Sequence, residues 1–457
     1  MSVLDPIKTI VVAMLENRSF DHLLGTSSLA TYGGRTDFDG LSGAVDPTSQ
    51  EIANPLYDNF ALGHRFRPFV SAHDDALVTD IPHERDAVAT QLDFSPVIGG
   101  FAMAGFAKAY FEAFPGNRGS PPEPLAMFPP QLVPMTSFLA THFAVCDRWF
   151  APIPTSTQPN RFMALSGFTS VDATIDGPPD QDIVTDWCTR NGVRWRVYHE
   201  GFSFMTLFRR RVLIDPNFRS FDDMARDFQS EPDGTFPQFI LVEPEYADDP
   251  FARHPDDNHP PLPIGPGEAF LSRVYRAVTS NPARWAGTLL IVTYDEHGGL
   301  FDHVPPLPIA TVAPKGEYPA FKTTGPRVPA LIVSPYVAPR SVCHQQFDHT
   351  SILRLLGEKF RADATYSPLV SARQEAGGLA SVASALNPSV ASSPPPEPPA
   401  VGTVLAPSYA EPRTPVTPLQ KAFARARSEG IATYPDAIAE RHPEMLFHEP
   451  HPDTGKT

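Results

Sequence analysis

"GTLLIVTYDEHGG", residues 287–299, decides the fold. Residues 288–294 are uncharged, mostly apolar and of strand length. A continuous apolar run of this kind, without polar alternation, predicts a strand buried on both faces, as in a parallel sheet covered by helices. It ends without a spacer in Asp295, Glu296 and His297. Three more runs share the pattern: "TIVVAML" (9–15), "FPQFILVEP" (236–244) and "VPALIVSPY" (328–336). Helical patterns lie between and after them. "GEAFLSRVYRAVTSNPARW" (267–285) spaces Phe270, Val274 and Val278 four apart, and "DHTSILRLLGEKF" (348–360) stripes Ile352, Leu355 and Leu356. Strands alternating with helices predict an α/β fold. In such sheets, chemistry gathers beyond the carboxyl ends of the strands.

Composition narrows the partners. The 457 residues carry 42% hydrophobic and 19% charged side chains, enough for a large core. A net charge of −16 disfavours nucleic acid, and electrostatic docking on an anionic membrane. Cys146, Cys188 and Cys343 are odd in number and widely spaced, so neither a disulfide framework nor a thiolate metal site follows. No run approaches the roughly 18 apolar residues of a membrane span. The N-terminus lacks a long apolar stretch with a cleavage site, so the chain reads as soluble without an export signal. A mature form with its leader removed would read the same way, which leaves cytoplasm and secretion both open. Prolines crowd residues 387–415 and predict an extended linker. The expected division is a catalytic domain over 1–385, a linker over 386–416 and a helical segment over 417–457. In that segment Thr417 is the expected N-cap, Pro418 the first helical residue and Gly430 the stop.

The strand-end rule selects two acidic clusters. Adjacent Asp295 and Glu296 repel each other, and a hard divalent cation is their natural partner. Gly298 and Gly299 let the backbone pass close to a neighbour. In "ENRSFDH" (16–22), Glu16 and Asn17 offer two further oxygen ligands if their strand lies beside the one ending at Asp295; the competing reading is a helix cap by Asn17 or Ser19. The loop before "TQPNR" (157–161) is rich in hydroxyls, and Thr157 could meet a metal and be activated by it. Arg161 suits either a bound anion or an ion pair within the fold. His83, His199, His259, His303 and His349 are available as phosphate donors or as a general acid. Signatures of lipase-type serine hydrolases, zincins, P-loop NTPases and Rossmann enzymes are missing.

Taken in order, "ENRSFDH", "TQPNR", "DDNHPP" and "YDEHGGLFDHVPP" resemble the bacterial phospholipase C and acid phosphatase family of phosphoesterases, whose blocks plant non-specific phospholipases C share. The resemblance spans roughly residues 8–360. It implies a three-layer α/β/α fold like that of the alkaline phosphatase superfamily, with a central, mostly parallel sheet. It also implies a phospho-enzyme mechanism with Thr157 as nucleophile. The implied ligands of one divalent metal ion (Ca²⁺, Mg²⁺, Mn²⁺ or Zn²⁺) are Glu16, Asn17, Asp295, Glu296 and the Thr157 hydroxyl. His83, His199 and His259 would contact phosphate with Asn17. The acidic block departs from the family pattern by an inserted Asn258. The expected substrate is a phospholipid diester; the alternatives are a soluble phosphomonoester, as for an acid phosphatase, and an inactive metal-binding scaffold. For a lipid enzyme, "IGGFAMAGFAKAYFEAF" (98–114) is a candidate pocket mouth; otherwise it is a buried helix.

Overall fold

The computed structural model describes residues 2–73, 77–387, 389, 394–401, 412–442 and 446, with Arg210 described by its backbone only. Eight strands form the central sheet: β1 (Thr9–Leu15), β2 (Ala144–Cys146), β3 (Trp195–His199), β4 (Phe218–Ser220), β5 (Phe239–Glu243), β6 (Thr288–Tyr294), β7 (Ala330–Val333) and β8 (Val342–Cys343). Their order is β4-β3-β5-β1-β6-β7-β2-β8. Only β7 runs antiparallel to its neighbours, β6 and β2. All seven residues of β6 are buried. Alternate side chains of a strand point to opposite faces, so both faces of the sheet are covered there. The α/β class with a mostly parallel central sheet is therefore as the apolar runs predict.

Register positions the site. β1 pairs with β6 from Thr9–Thr288 through Leu15–Tyr294, so the next residues, Glu16 and Asp295, emerge side by side. β5 pairs with β1 on its other edge, Val12 opposite Leu241. The helix Gly265–Thr279 buries Phe270, Val274 and Val278 and packs against Pro134–His142 and Met224–Ser230. The helix Thr350–Phe360 packs against Thr157–Ser166.

The C-terminal helix runs Pro418–Thr433, capped by Thr417, whose side chain accepts from the Gln420 N–H. It continues through Gly430, the residue expected to stop it: this glycine is buried, and the helix ends four residues later at Tyr434. Leu419 and Phe423 join the main core, the Phe423 ring 5.8 Å from that of Tyr246. Of the expected linker, residues 388, 390–393 and 402–411 lie outside the described residues. Residues 394–401 lie along the helix Gly265–Thr279, where Pro396 O accepts from the Tyr275 hydroxyl at 2.8 Å. Among the described residues no helix is long and apolar enough to cross a membrane.

Candidate active site

Four residues of "TQPNR" have separate tasks. Thr157 opens the helix Thr157–Ser166 and is buried. A hydroxyl there faces free backbone N–H groups and the positive end of the helix dipole, a setting that favours an anion. The Gln158 amide both donates to and accepts from the backbone of Ile175, each at 2.9 Å. Asn160 donates to the carbonyls of Thr155 and Ser156 and accepts from Ile153 N, fixing the loop that delivers Thr157. Arg161 reaches the strand ends, with Nε 3.0 Å from Asp295 Oδ2 and Nη2 3.1 Å from Glu16 Oε1. It also donates to the Tyr246 hydroxyl. The internal ion pair is thus its role here. Thr157 Oγ1 lies 3.4 Å from Asn17 Oδ1.

The two acidic clusters meet as the register dictates. Asn17 N donates to Asp295 Oδ1 at 3.0 Å. Asn17 holds φ at +57°, a left-handed conformation that costs a non-glycine residue about 1 kcal/mol or more. The capping role falls to Ser19, which accepts from His22 N. Gly298 comes so close that a Cβ there would stand 2.2 Å from Asn17 O, and its φ is +63°. The glycine pair therefore wedges the Asp295–Glu296 loop against the end of β1.

Glu16, Asp295 and Glu296 are 0–1% exposed. Burial raises the Glu16 carboxyl well above its ordinary value; Arg161 pulls it back in part, while Asp295 and Asp257 push it further up. Asp295 is raised for the same first reason, and Glu296 adds to it. For Glu296 burial acts upward too, but His83 and His297 outweigh it and hold the carboxyl below its usual range. Glu16 Oε2 and Glu296 Oε1 are buried with no hydrogen-bond partner. Unpaired buried carboxylate oxygens are costly. Oxygen donors of this kind, in excess over one guanidinium, fit a hard divalent cation.

His83 and His259 face this cluster. The Nδ1 of each lies 2.6 Å from a backbone carbonyl, Ile81 O and Pro260 O. That leaves both Nε2 atoms for the cleft, and the ring centroids are 6.1 Å apart. Burial opposes charge on His83, yet Glu296, Asp80 and Glu84 hold it up, to about 10. His259 is raised as well, its burial outweighed by Asp248, Asp80 and Asp257. Asn258 absorbs the insertion in a left-handed turn (φ +72°), so His259 still points inward.

His199 is not brought to this cluster. It ends β3, separated from β1 by β5, and each strand step displaces it by about 4.8 Å. It lines instead a cavity of about 820 Å³ with Glu200, Arg273 and Arg441, and its ring stacks on His442. His303 is engaged elsewhere, with Asp21, and His349 braces the cluster from its backbone, its Nε2 2.7 Å from Asp295 O.

Three residues join the site that the motifs did not mark. Asp248 Oδ2 lies 3.6 Å from His259 Nε2, and ligand atoms of Glu16, Asp248 and His259 fall within 4.8 Å of one another. Asp80 approaches both histidines. Glu84 Oε2 accepts from Ser156 Oγ at 2.8 Å, tying the His83 segment to the Thr157 loop. Position beyond a strand end was the available signal for Asp248, in "FILVEPEYADD" (239–249).

A model of the Phosphoesterase family matches residues 7–362. The chain is 34% identical over 376 residues to non-specific phospholipase C1 of Arabidopsis thaliana, covering 76% of this chain and 66% of that protein. It is 27% identical to the non-hemolytic phospholipase C of Burkholderia pseudomallei, covering 78% of this chain and 55% of that one. Among solved structures it is similar to a protein in the alkaline phosphatase superfamily from Vibrio parahaemolyticus, with TM-score 0.29 and 13% identity, over 53% of this chain and 62% of that one. The chain spans about two thirds or less of the length of these two phospholipases. With a family model matched over most of its length, the chain belongs to the phosphoesterase family, a family of phosphoric ester hydrolases.

Proposed function

We propose that the chain is a phospholipase C: a metal-dependent hydrolase of phospholipid phosphodiesters that works through a phospho-threonine intermediate. The observation that carries this is the Thr157 hydroxyl, held at a helix N-terminus 3.4 Å from Asn17, on the helix whose Arg161 binds Glu16 and Asp295. Glu16, Asn17, Asp295, Glu296 and the Thr157 hydroxyl would hold one divalent cation. Bound there, it would lower the pKa of that hydroxyl and offset charge on phosphate.

The chain's own groups account for the rest. Thr157 Oγ gives up its proton to solvent and forms a bond to phosphorus opposite the leaving alcohol, whose P–O bond breaks. Protons on Nε2 of His83 and His259 stabilise the non-bridging oxygens. One of these histidines protonates the departing diacylglycerol oxygen. Water then attacks phospho-Thr157 along the same line, losing a proton to the histidine that gave one up; the P–Oγ bond breaks, Oγ takes a proton back from solvent, and the phosphorylated head group is released. Positioning and charge carry most of such a reaction. Arg161 and Asn160 keep the nucleophile loop and the strand ends in one geometry throughout.

Phosphatidylcholine vesicles, p-nitrophenyl phosphorylcholine and p-nitrophenyl phosphate are the discriminating panel. The expected result is release of diacylglycerol, lost by roughly 10³-fold or more in Thr157→Ala at an unchanged thermal midpoint. Hydrolysis of the monoester alone would replace the phospholipase reading by a phosphatase acting on soluble substrates. Normal turnover in Thr157→Ala would remove the nucleophile assignment.

A further inference from the structure

Two β-hairpins stand on the lobe that supplies His83. The first pairs Asn59–Ala61 with His64–Phe66 around Leu62 and Gly63. The second pairs Phe94–Ser95 with Gly100–Phe101 around residues 96–99. Apolar side chains on them face outward: Phe60 is 60% exposed, Phe94 59%, Ile98 65% and Val97 92%. Among the described residues, seven of the thirteen large exposed hydrophobic ones fall between Leu56 and Ile98. A Cβ built on Gly63, Gly99 or Gly100 would meet nothing within 4 Å, so both tips project into open space. Of the segment expected to form either a pocket mouth or a buried helix (98–114), only Phe106–Ala113 is helical. Its beginning is the exposed tip.

These tips are held rigidly, and held to the site. Asn59 is fully buried and its Oδ1 accepts from the N–H groups of Phe106 and Ala107, capping the helix Phe106–Ala113. Phe60 N donates to Ala104 O, which sets the first hairpin beside the second. The second is pinned to the helix Arg85–Leu92 by Ala102 N to Asp93 O and Met103 N to Leu92 O. That helix follows His83 directly. Its Gln91 donates to Pro82 O and lies 2.9 Å from His297 Nε2, in the loop that carries Asp295 and Glu296.

We infer that the two hairpin tips are a docking surface that seats the candidate active site on a phospholipid–water interface of zwitterionic lipid. Clustered apolar side chains on projecting tips, uncovered by the rest of the chain, suit insertion into the boundary between head groups and acyl chains. The charge pattern selects the lipid. Residues 87–107 carry one charge, Asp93, and the chain carries −16, so an anionic surface would repel the molecule and a neutral one would not. Between the first hairpin and the helix Phe106–Ala113 runs a cleft of about 560 Å³, lined by Phe60, Leu62 and Phe111 with Lys108, Glu112 and Arg118. Its apolar side chains suit an acyl chain, and its rim of both charges suits a zwitterionic head group. The inference deepens the phospholipase reading and rests on it for the substrate, though not for the surface.

The test is flotation with vesicles of phosphatidylcholine alone, and with phosphatidylserine added, for the full chain and for Phe60→Ser/Val97→Ser/Ile98→Ser. These side chains are at the surface, and unchanged circular dichroism and thermal midpoint establish that the variant folds. The expected result is at least a tenfold loss of partitioning onto phosphatidylcholine, and an equal loss of vesicle hydrolysis. Turnover of soluble p-nitrophenyl phosphorylcholine stays as it was. Failure of the wild-type chain to float, partitioning that needs phosphatidylserine, or undiminished flotation of the variant would each overturn the surface. A change of oligomeric state in sedimentation, with vesicle partitioning untouched, would make the tips a contact between copies and overturn it too. Thr157→Ala is expected to float like the wild type. If no phospholipid is hydrolysed while flotation still depends on the tips, the surface stands and the substrate reading falls.

Discussion

Two buried acid clusters lie five residues apart at the end of β1, and they behave oppositely. Glu16 joins Asp295 and Glu296; Asp21 joins Asp302, His303 and Arg327. Both come from the same pair of motifs, "ENRSFDH" and "DEHGGLFDH", and each contributes to a group whose ligand atoms are close enough to hold a metal: Glu16 with Asp248 and His259, and Asp21 with Asp302 and His303. The second cluster is closed. Arg327 donates to Asp302 Oδ1 at 2.9 Å, to Asp21 Oδ1 at 3.0 Å and to the carbonyls of Asp39 and Asp147. His303 takes the remaining Asp21 oxygen at 2.6 Å. No side-chain atom of Asp21, Asp302, His303 or Arg327 is left without a partner, whereas Glu16 and Glu296 each keep an unpartnered oxygen. One cluster is a lock that joins the two loops; the other keeps carboxylate oxygens open, as the proposed site requires. Hydrogen-bond satisfaction separates them, and residue type does not.

Breaking the lock should cost the most. Arg327→Met removes the cation from two fully buried carboxylates, and stability should fall by about 3–5 kcal/mol, read from denaturant unfolding. The same operation on the site should separate stability from activity. Glu16→Gln removes one of several crowded like charges while keeping its shape. Turnover should fall by about 10²–10³-fold, with a thermal midpoint unchanged or raised. A loss of stability comparable to that of Arg327→Met would make the first cluster a lock as well. Divalent cations sharpen the contrast without any assay of turnover. Saturating metal at roughly 100 times its Kd should stabilise the wild type by about 2.7 kcal/mol in thermal unfolding, and Glu16→Gln by much less. An effect of equal size in both proteins would place the cation elsewhere.

The central sheet was legible because β1, β5, β6 and β7 are long enough to show an unbroken apolar run. The edge strands β4 and β8, and β2 beside β8, are two or three residues long, too short for a pattern. Glu16, Asn17, Asp295 and Glu296 were legible because they leave strands that register side by side. His199 was not, because sequence order conceals that β3 lies two strands from β1. Asp80 and Glu84 were hidden for a different reason. Their roles depend on contacts with His259 and Ser156, far along the chain, and an acid in a loop carries no local sign of such a partner. Asp21 and Asp302 are the converse case: they sit within the motifs, yet only their full hydrogen bonding shows them to be structural.

The smallest expected effect concerns how the lock responds to pH. His303 faces Asp21, Asp39 and Arg327, with the Tyr57 ring 5.3 Å away. Its burial opposes charge, but Asp21 and Asp39 outweigh this and raise it to about 9. A histidine raised from 6.5 in the folded state stabilises the fold fully below about pH 6.5, and this contribution is lost as pH climbs through about 9. Asp39 shows the opposite limb. Its bond to His303 outweighs its burial and lowers it to about 2, so its contribution is present above about pH 3.8 and is lost as pH falls through about 2. The stability difference between wild type and His303→Gln should therefore be largest near pH 6 and shrink steadily towards pH 9.5 in denaturant titrations. A difference that stayed constant with pH would mean that His303 supports the lock by packing and neutral hydrogen bonding alone. The distinction between the clusters would then rest on Arg327.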